Sequence, residues 1–196
     1  MPMRLFYLVM LLSLLLACSA NNNQITQPTP TQKTIEQPSV PEHLSIAYAF
    51  VGTRNVAGPG RDFIYYIIRR GHGKPPTSYC AFFVTYCIDS AKVKTPTVRS
   101  GLACNFKLNN SISANDVLIG KTKLNSGTII VWRNGETIHG HVGFVVDWGT
   151  IQGSTIEGNS TGTYQGKKYN GIWFHTIEKI EPLNYFRIVA FTPVTY

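Results

Sequence analysis

Two residue types in this chain stand where covalent chemistry would need them. Cys80 follows the Gly/Pro-rich stretch Gly71-His72-Gly73-Lys74-Pro75-Pro76 and sits at the head of the apolar run 79–91. At the start of a helix, unsatisfied backbone N–H groups and the positive end of the dipole favour a thiolate. Cys80 is therefore a candidate nucleophile, against the buried core position that a free Cys most often takes. A nucleophile needs a base. His141, in Gly140-His141-Val142-Gly143-Phe144-Val145-Val146, begins a strand pattern. Glycine beside it and two residues on leaves an imidazole room to approach another element. His139 lies two residues away on the same face and is the rival, whereas His43, His72 and His175 have no comparable setting. The third part would be an acceptor that holds the ring in one tautomer. Glu157 and Asn159, spaced by two, share one strand face and fall on the strand expected beside His141. Either could orient the ring, and the other could bind substrate or support the first.

These side chains must be carried by helices followed by strands. Helical patterns cover 43–51, 61–70 (ending at Gly71) and 79–91, with a fourth expected at 97–108. The period then changes to two. Strands are expected at 128–133, 141–148, 154–159, 171–177 and 186–192, separated by Gly, Asn and Ser punctuation. Helices followed by an antiparallel sheet predict an α+β fold.

Composition bounds what this unit can be. Of 196 residues 43% are apolar and 14% charged, with ten Tyr and ten Phe, which excludes a disordered chain and a coiled coil. Arg4 followed by the apolar run 5–16 (LFYLVMLLSLLL) reads as a secretory signal, too short to span a bilayer. It ends in Leu15-Leu16-Ala17-Cys18, which resembles the bacterial lipobox, in which the Cys is acylated and becomes the new N-terminus. Residues 1–17 are thus expected as a lipoprotein signal peptide and Cys18 as the lipidation site. Of the 24 residues at 19–42, 17 are Asn, Gln, Ser, Thr or Pro, so 18–42 reads as a lipidated Cys with a disordered polar tether. The folded domain is expected at 43–196.

The N-terminal lipid predicts a membrane anchor and a place in the cell envelope, on the periplasmic or outer side; Ser19 favours the outer membrane in a Gram-negative host. Export removes nucleic acid as a partner. The net charge of +8 then suits a polyanionic, wall-associated one, and the protein is expected to act as a monomer. Export also exposes the remaining thiols to an oxidising space. Cys87 lies two helical turns beyond Cys80, about 10 Å away, too far to bridge to it. A Cys87–Cys104 disulfide is one expectation and two buried thiols the other. Without a C-x-x-C pair no metal site is expected, and no cofactor is implied.

Tyr79-Cys80-Ala81-Phe82-Phe83-Val84 resembles the W-C-A-x-F-V nucleophile block of the CHAP domain, the cysteine, histidine-dependent amidohydrolase/peptidases, with Tyr79 in place of Trp. His141-Val142-Gly143 is similar to that family's H-V-G block, Glu157-Gly158-Asn159 to its E-x-N segment, and Val51-Gly52-Thr53-Arg54-Asn55 to its V-G-x-R-E stretch. Asn55 stands in place of an acidic residue, and Gly127-Thr128 in place of the usual G-D. The likeness spans about 45–193. The related NlpC/P60 group fits less well, because its D-C-S-G block is missing. The resemblance implies a papain-like fold and cleavage of peptidoglycan, with Cys80 as nucleophile, His141 as base, and Glu157 and Asn159 completing the site. The implied enzyme is a membrane-tethered endopeptidase or N-acetylmuramoyl-L-alanine amidase. The competing reading is a catalytically silent lipoprotein that binds cell wall or a partner in the same groove.

Overall fold

In the computed structural model, which describes residues 39–150, 152–178 and 187–196, helices come first and an antiparallel sheet follows. Helices α1 (Glu42–Ala49), α2 (Pro59–Arg70) and α3 (Cys80–Ser90) lead. After them come β1 (Ile112–Ser113), α4 (Ala114–Leu118), β2 (Ile129–Arg133), β3 (Gly140–Trp148), β4 (Gln152–Tyr164), β5 (Lys167–Glu178) and β6 (Arg187–Thr192). The sheet order is β1-β6-β2-β3-β4-β5, and every neighbouring pair is antiparallel. This is the expected α+β arrangement. The expected signal peptide at 1–17 and the tether at 18–42 lie outside the described residues, apart from 39–42.

The local chemistry explains the helices. Pro59 opens α2, Asp62 sits in its first turn and Arg69 and Arg70 in its last, each placed as the helix dipole favours. Ile64, Ile67 and Ile68 give it one buried stripe. In α3 nearly every side chain is apolar, and a helix apolar all round must be covered on all sides. Its Ala81, Phe83, Val84, Cys87 and Ile88 are fully buried. They pack with Leu44 of α1 and Ile64 and Ile68 of α2, and with Val142, Phe144, Ile156 and Ile172 of the sheet. Ile130, Trp132, Val145 and Phe191 form a smaller core with Ala114 and Val117 of α4. Each Val, Leu, Ile or Phe side chain buried among them contributes about 1.5–3 kcal/mol, which fixes α3 against the sheet.

Three sequence expectations are corrected. No helix forms over 97–108, where the only helical turn is a 3-10 segment at Ala103–Phe106. Ser100 explains this, because its hydroxyl accepts the Leu102 N–H (3.0 Å) and a donor from Asn105 (2.9 Å), while its carbonyl accepts from Thr85 of α3. Those bonds compete with helical ones. The β4–β5 hairpin is longer than 154–159 and 171–177. Gly162, between the two expected strands, and Gly171, at the start of the second, are positions where the Trp173 ring crosses the strands, and a two-residue turn with positive φ at Gln165 and Gly166 joins them. Finally, Cys87 and Cys104 are free thiols, not a disulfide. Cys87 lies in α3 on its core side, where burial pushes its thiol up, whereas Cys104 is partly exposed beside Asn105.

The β5 edge is covered by the loop after α1. Gly52 N–H donates to Ile172 O (2.8 Å), Ile172 N–H to Thr53 O (2.9 Å), and Asn55 N–H to Asn170 O (2.8 Å). These bonds cap an otherwise open edge and bring Asn55 beside Asn170. No helix among the described residues is long and apolar enough to cross a membrane.

Candidate active site

Cys80 is the first residue of α3, and its placement is decided further along the helix. Phe83 packs on Gly158 of β4, where an added Cβ would lie 2.8 Å from the Phe83 Cβ. Only a residue without a Cβ lets helix and strand approach so closely, and this contact seats the helix start over the sheet. Cys80 is only 5% exposed. It opens onto a cleft of about 380 Å³ shared with Ser78, Trp132, His139, Gly140, His141 and Asn159. Larger hollows of about 490 and 480 Å³ lie along 51–60 and around 117–124. Neither is lined by a cysteine and a histidine, whereas the smaller cleft is lined by both.

His141 is paired across β2–β3 with the buried Trp132, whose ring lies 5.3 Å from the imidazole, centroid to centroid. The residue opposite Glu157 is Gly143 rather than His141. Glu157 therefore has to reach along the strand, and the missing side chain at 143 allows it: a Cβ there would meet Glu157 Cγ and Ile156 O, each at 2.8 Å. The glycine spacing read from the sequence as room for the imidazole is thus room for the carboxylate. His141 Nε2–H donates to Glu157 Oε2 at 2.8 Å, which leaves Nδ1 as the ring nitrogen that the carboxylate does not engage. The other carboxylate oxygen accepts from the Thr155 hydroxyl at 2.5 Å. Both oxygens of Glu157 are therefore held.

The electrostatics follow from that geometry. Burial opposes charge on His141, but hydrogen bonds to Cys80 and Glu157 and the charge on both outweigh it, and the imidazolium is pushed up to about 10. Burial would likewise raise Glu157. The hydrogen bond and charge of His141, aided by His175 and the Thr155 hydroxyl, instead hold its carboxyl below the usual range. At neutral pH the pair is imidazolium and carboxylate.

The comparison that names a family concerns this segment. A family model, the CHAP domain, matches residues 70–159, the stretch that runs from the end of α2 through Cys80, His141 and Glu157 to Asn159. The chain is thus similar to a CHAP domain over this stretch, a little under half of its length. Comparison with curated proteins and with solved structures gives no significant match. CHAP domains are papain-like, in keeping with the helices and six-stranded sheet described above, and are generally hydrolases acting on peptidoglycan.

Within the matched stretch the structure brings together Cys80, His141 and Glu157. Of the two candidate orienting residues, Glu157 touches the ring; Asn159 borders the cleft, and its side chain bonds to Asn170 instead. His139 also borders the cleft, but its hydrogen bonds are made by its backbone. His43 is buried, bonded to Gly127 O and the Tyr196 hydroxyl, and His175 bonds to Ser160. Sequence reasoning missed Thr155, Trp132 and the Tyr79–Asn170 contact (2.9 Å). Thr155 was accessible, since T-x-E on one strand places a hydroxyl and a carboxylate on one face. Among the described residues no three His, Cys, Asp or Glu side chains converge as a metal would require.

Proposed function

We propose that this chain is a membrane-tethered peptidoglycan hydrolase that cleaves an amide bond, as an endopeptidase or an N-acetylmuramoyl-L-alanine amidase, through Cys80 and His141. The observation that carries the reading is the His141 ring held between Cys80 and Glu157, with the carboxylate itself fixed by Thr155. In the proposed reaction the Cys80 thiolate attacks the amide carbonyl and the Sγ–C bond forms. The oxyanion is met by the Cys80 backbone N–H at the start of α3. The C–N bond then breaks as His141 delivers its proton to the leaving amine. Water, deprotonated by His141, next attacks the thioester, and the C–Sγ bond breaks to release the thiolate and a carboxylic acid, which gives its proton to solvent. Glu157 keeps the ring in one tautomer and stabilises its charge throughout. The lipobox-like Leu15-Leu16-Ala17-Cys18 and the polar stretch after it would hold the domain within reach of the wall from the membrane.

The test is incubation of the full chain, and of Cys80→Ala and His141→Ala, with purified sacculi, followed by mass spectrometry of what is released. New peptide or amino-sugar ends that require both residues are expected, and their identity names the bond. Release that persists in Cys80→Ala, or none from the wild type, would overturn the reading.

A further inference from the structure

Asn159 sits in a β-bulge. β4 pairs with β5 through Gly158↔Ile172 and Ser160↔Gly171, and Asn159 between them is left out of the ladder with φ +57°. Asn tolerates this left-handed conformation better than most residues. One bond then holds its side chain, and further bonds hold the partner and the backbone. Asn159 Oδ1 accepts from Asn170 Nδ2 at 3.2 Å. Asn170 Oδ1 accepts from the Tyr79 hydroxyl at 2.9 Å and from Asn55 Nδ2 at 3.5 Å. The Asn159 backbone also hydrogen-bonds to the Tyr79 oxygen. Asn170 itself is exposed, but Tyr79, at 1% exposed, is a buried anchor for it.

A primary amide has one acceptor end and one donor end. Two donors converge on Asn170 Oδ1, so its NH2 faces Asn159 and occupies the Asn159 oxygen. The free end of Asn159 is then its own NH2, at a residue bordering the cleft with Cys80 and His141. We propose that Asn170 is a positioning residue: it holds the Asn159 amide so that Nδ2 is offered as a hydrogen-bond donor to a carbonyl oxygen of the peptide substrate. The proposal rests on the amide-hydrolase reading above. Asn55 and Tyr79, two of the three positions at which the chain departs from the CHAP blocks, both address Asn170, so the device is made of this chain's own residues.

Asn170→Asp tests it, because the substitution is nearly isosteric but supplies acceptors alone. Tyr79, Asn55 and the Asn159 NH2 can all donate to it, so the fold keeps its bonds while the Asn159 amide turns and presents its oxygen to the cleft. Full chains carrying Asn170→Asp, Asn170→Ala, Asn159→Ala and the Asn159→Ala/Asn170→Asp pair are compared on sacculi, with melting temperatures alongside. Expected is a severalfold lower rate for Asn170→Asp than for Asn170→Ala, with a melting temperature no lower. In the Asn159→Ala background, Asn170→Asp should change little. Asn170→Asp as active as Asn170→Ala, or effects of 159 and 170 that multiply, would overturn the proposal. Should the wild type release nothing, the hydrolase reading fails, and the relay is read from the Asn159 side-chain amide protons by NMR. Slower exchange with water in Asn170→Asp than in the wild type supports it; equal exchange overturns it.

Discussion

Replacing Glu157 by Gln separates what its charge does from what its shape does. Gln can still offer an oxygen to the His141 Nε2–H, and its NH2 can donate to Thr155 Oγ1, so the hydrogen-bond pattern survives while the negative charge is lost. The charge is worth a calculable amount. Raising His141 from 6.5 to about 10 corresponds to about 5 kcal/mol of net preference for the imidazolium. That preference is shared between Cys80 and Glu157. A unit-charge pair near 4 Å in a partly shielded site is worth about 4 kcal/mol at most, so a Glu157 share of about 2–3 kcal/mol is expected. Its loss lowers the imidazolium's titration by about 2 pH units, from about 10 to about 8. Near pH 6.5 the ring is charged in both proteins. Near pH 9 it is mostly charged in the wild type and mostly neutral in the variant, a difference of about tenfold. The assay is the pH dependence of kcat/KM for fragment release from sacculi, with Cys80 alkylation by iodoacetamide as an independent probe. The ratio of wild type to Glu157→Gln should grow about tenfold between those pH values. A ratio that stays constant would show that the carboxylate acts by shape alone and would refute the electrostatic argument.

Other perturbations follow from particular contacts. Gly143→Ala places a Cβ 2.8 Å from Glu157 Cγ and Ile156 O; overpacking of this kind costs about 1–3 kcal/mol, and activity should fall further than the melting temperature suggests, because the carboxylate is the group displaced. Gly158→Ala pushes against Phe83 and should lower activity by lifting the start of α3, with circular dichroism checking that the helices persist. His43 is buried and its titration lies below 6.5, so the unfolded chain binds its proton first as pH falls. Its contribution is therefore complete above about 6.5 and declines below it, and the drop in melting temperature on acidification should be smaller in His43→Gln. Iodoacetamide should label Cys104 in the folded protein and Cys87 only after unfolding, with no disulfide found by mass; a blocked 87–104 pair before reduction would contradict the free thiols.

What the sequence could carry divides along a physical line. The start of α3 was legible because Pro75 and Pro76 precede an apolar run, and that placed Cys80 at a helix N-terminus. His141 was legible because period two reports which residues share a face. The same argument put Glu157 and Asn159 on an equal footing, and only the register separates them. Gly143 stands opposite Glu157, so the carboxylate can reach along the strand, whereas the bulge turns Asn159 out of the ladder toward Asn170. A one-residue bulge leaves no trace in a hydrophobic pattern. The segment 97–108 failed for a related reason: the sequence suggested a helix, and Ser100, with hydroxyl bonds to Leu102 and Asn105 and backbone bonds to Thr85, overrode it. The glycines show the limit most clearly. Gly143 is read from sequence as space for the imidazole and Gly158 only as part of a strand, yet each is a point of close approach, to Glu157 and to Phe83. Which side chain occupies the missing Cβ is a tertiary fact, and here that fact decides that Glu157, and not Asn159, shares its charge with His141.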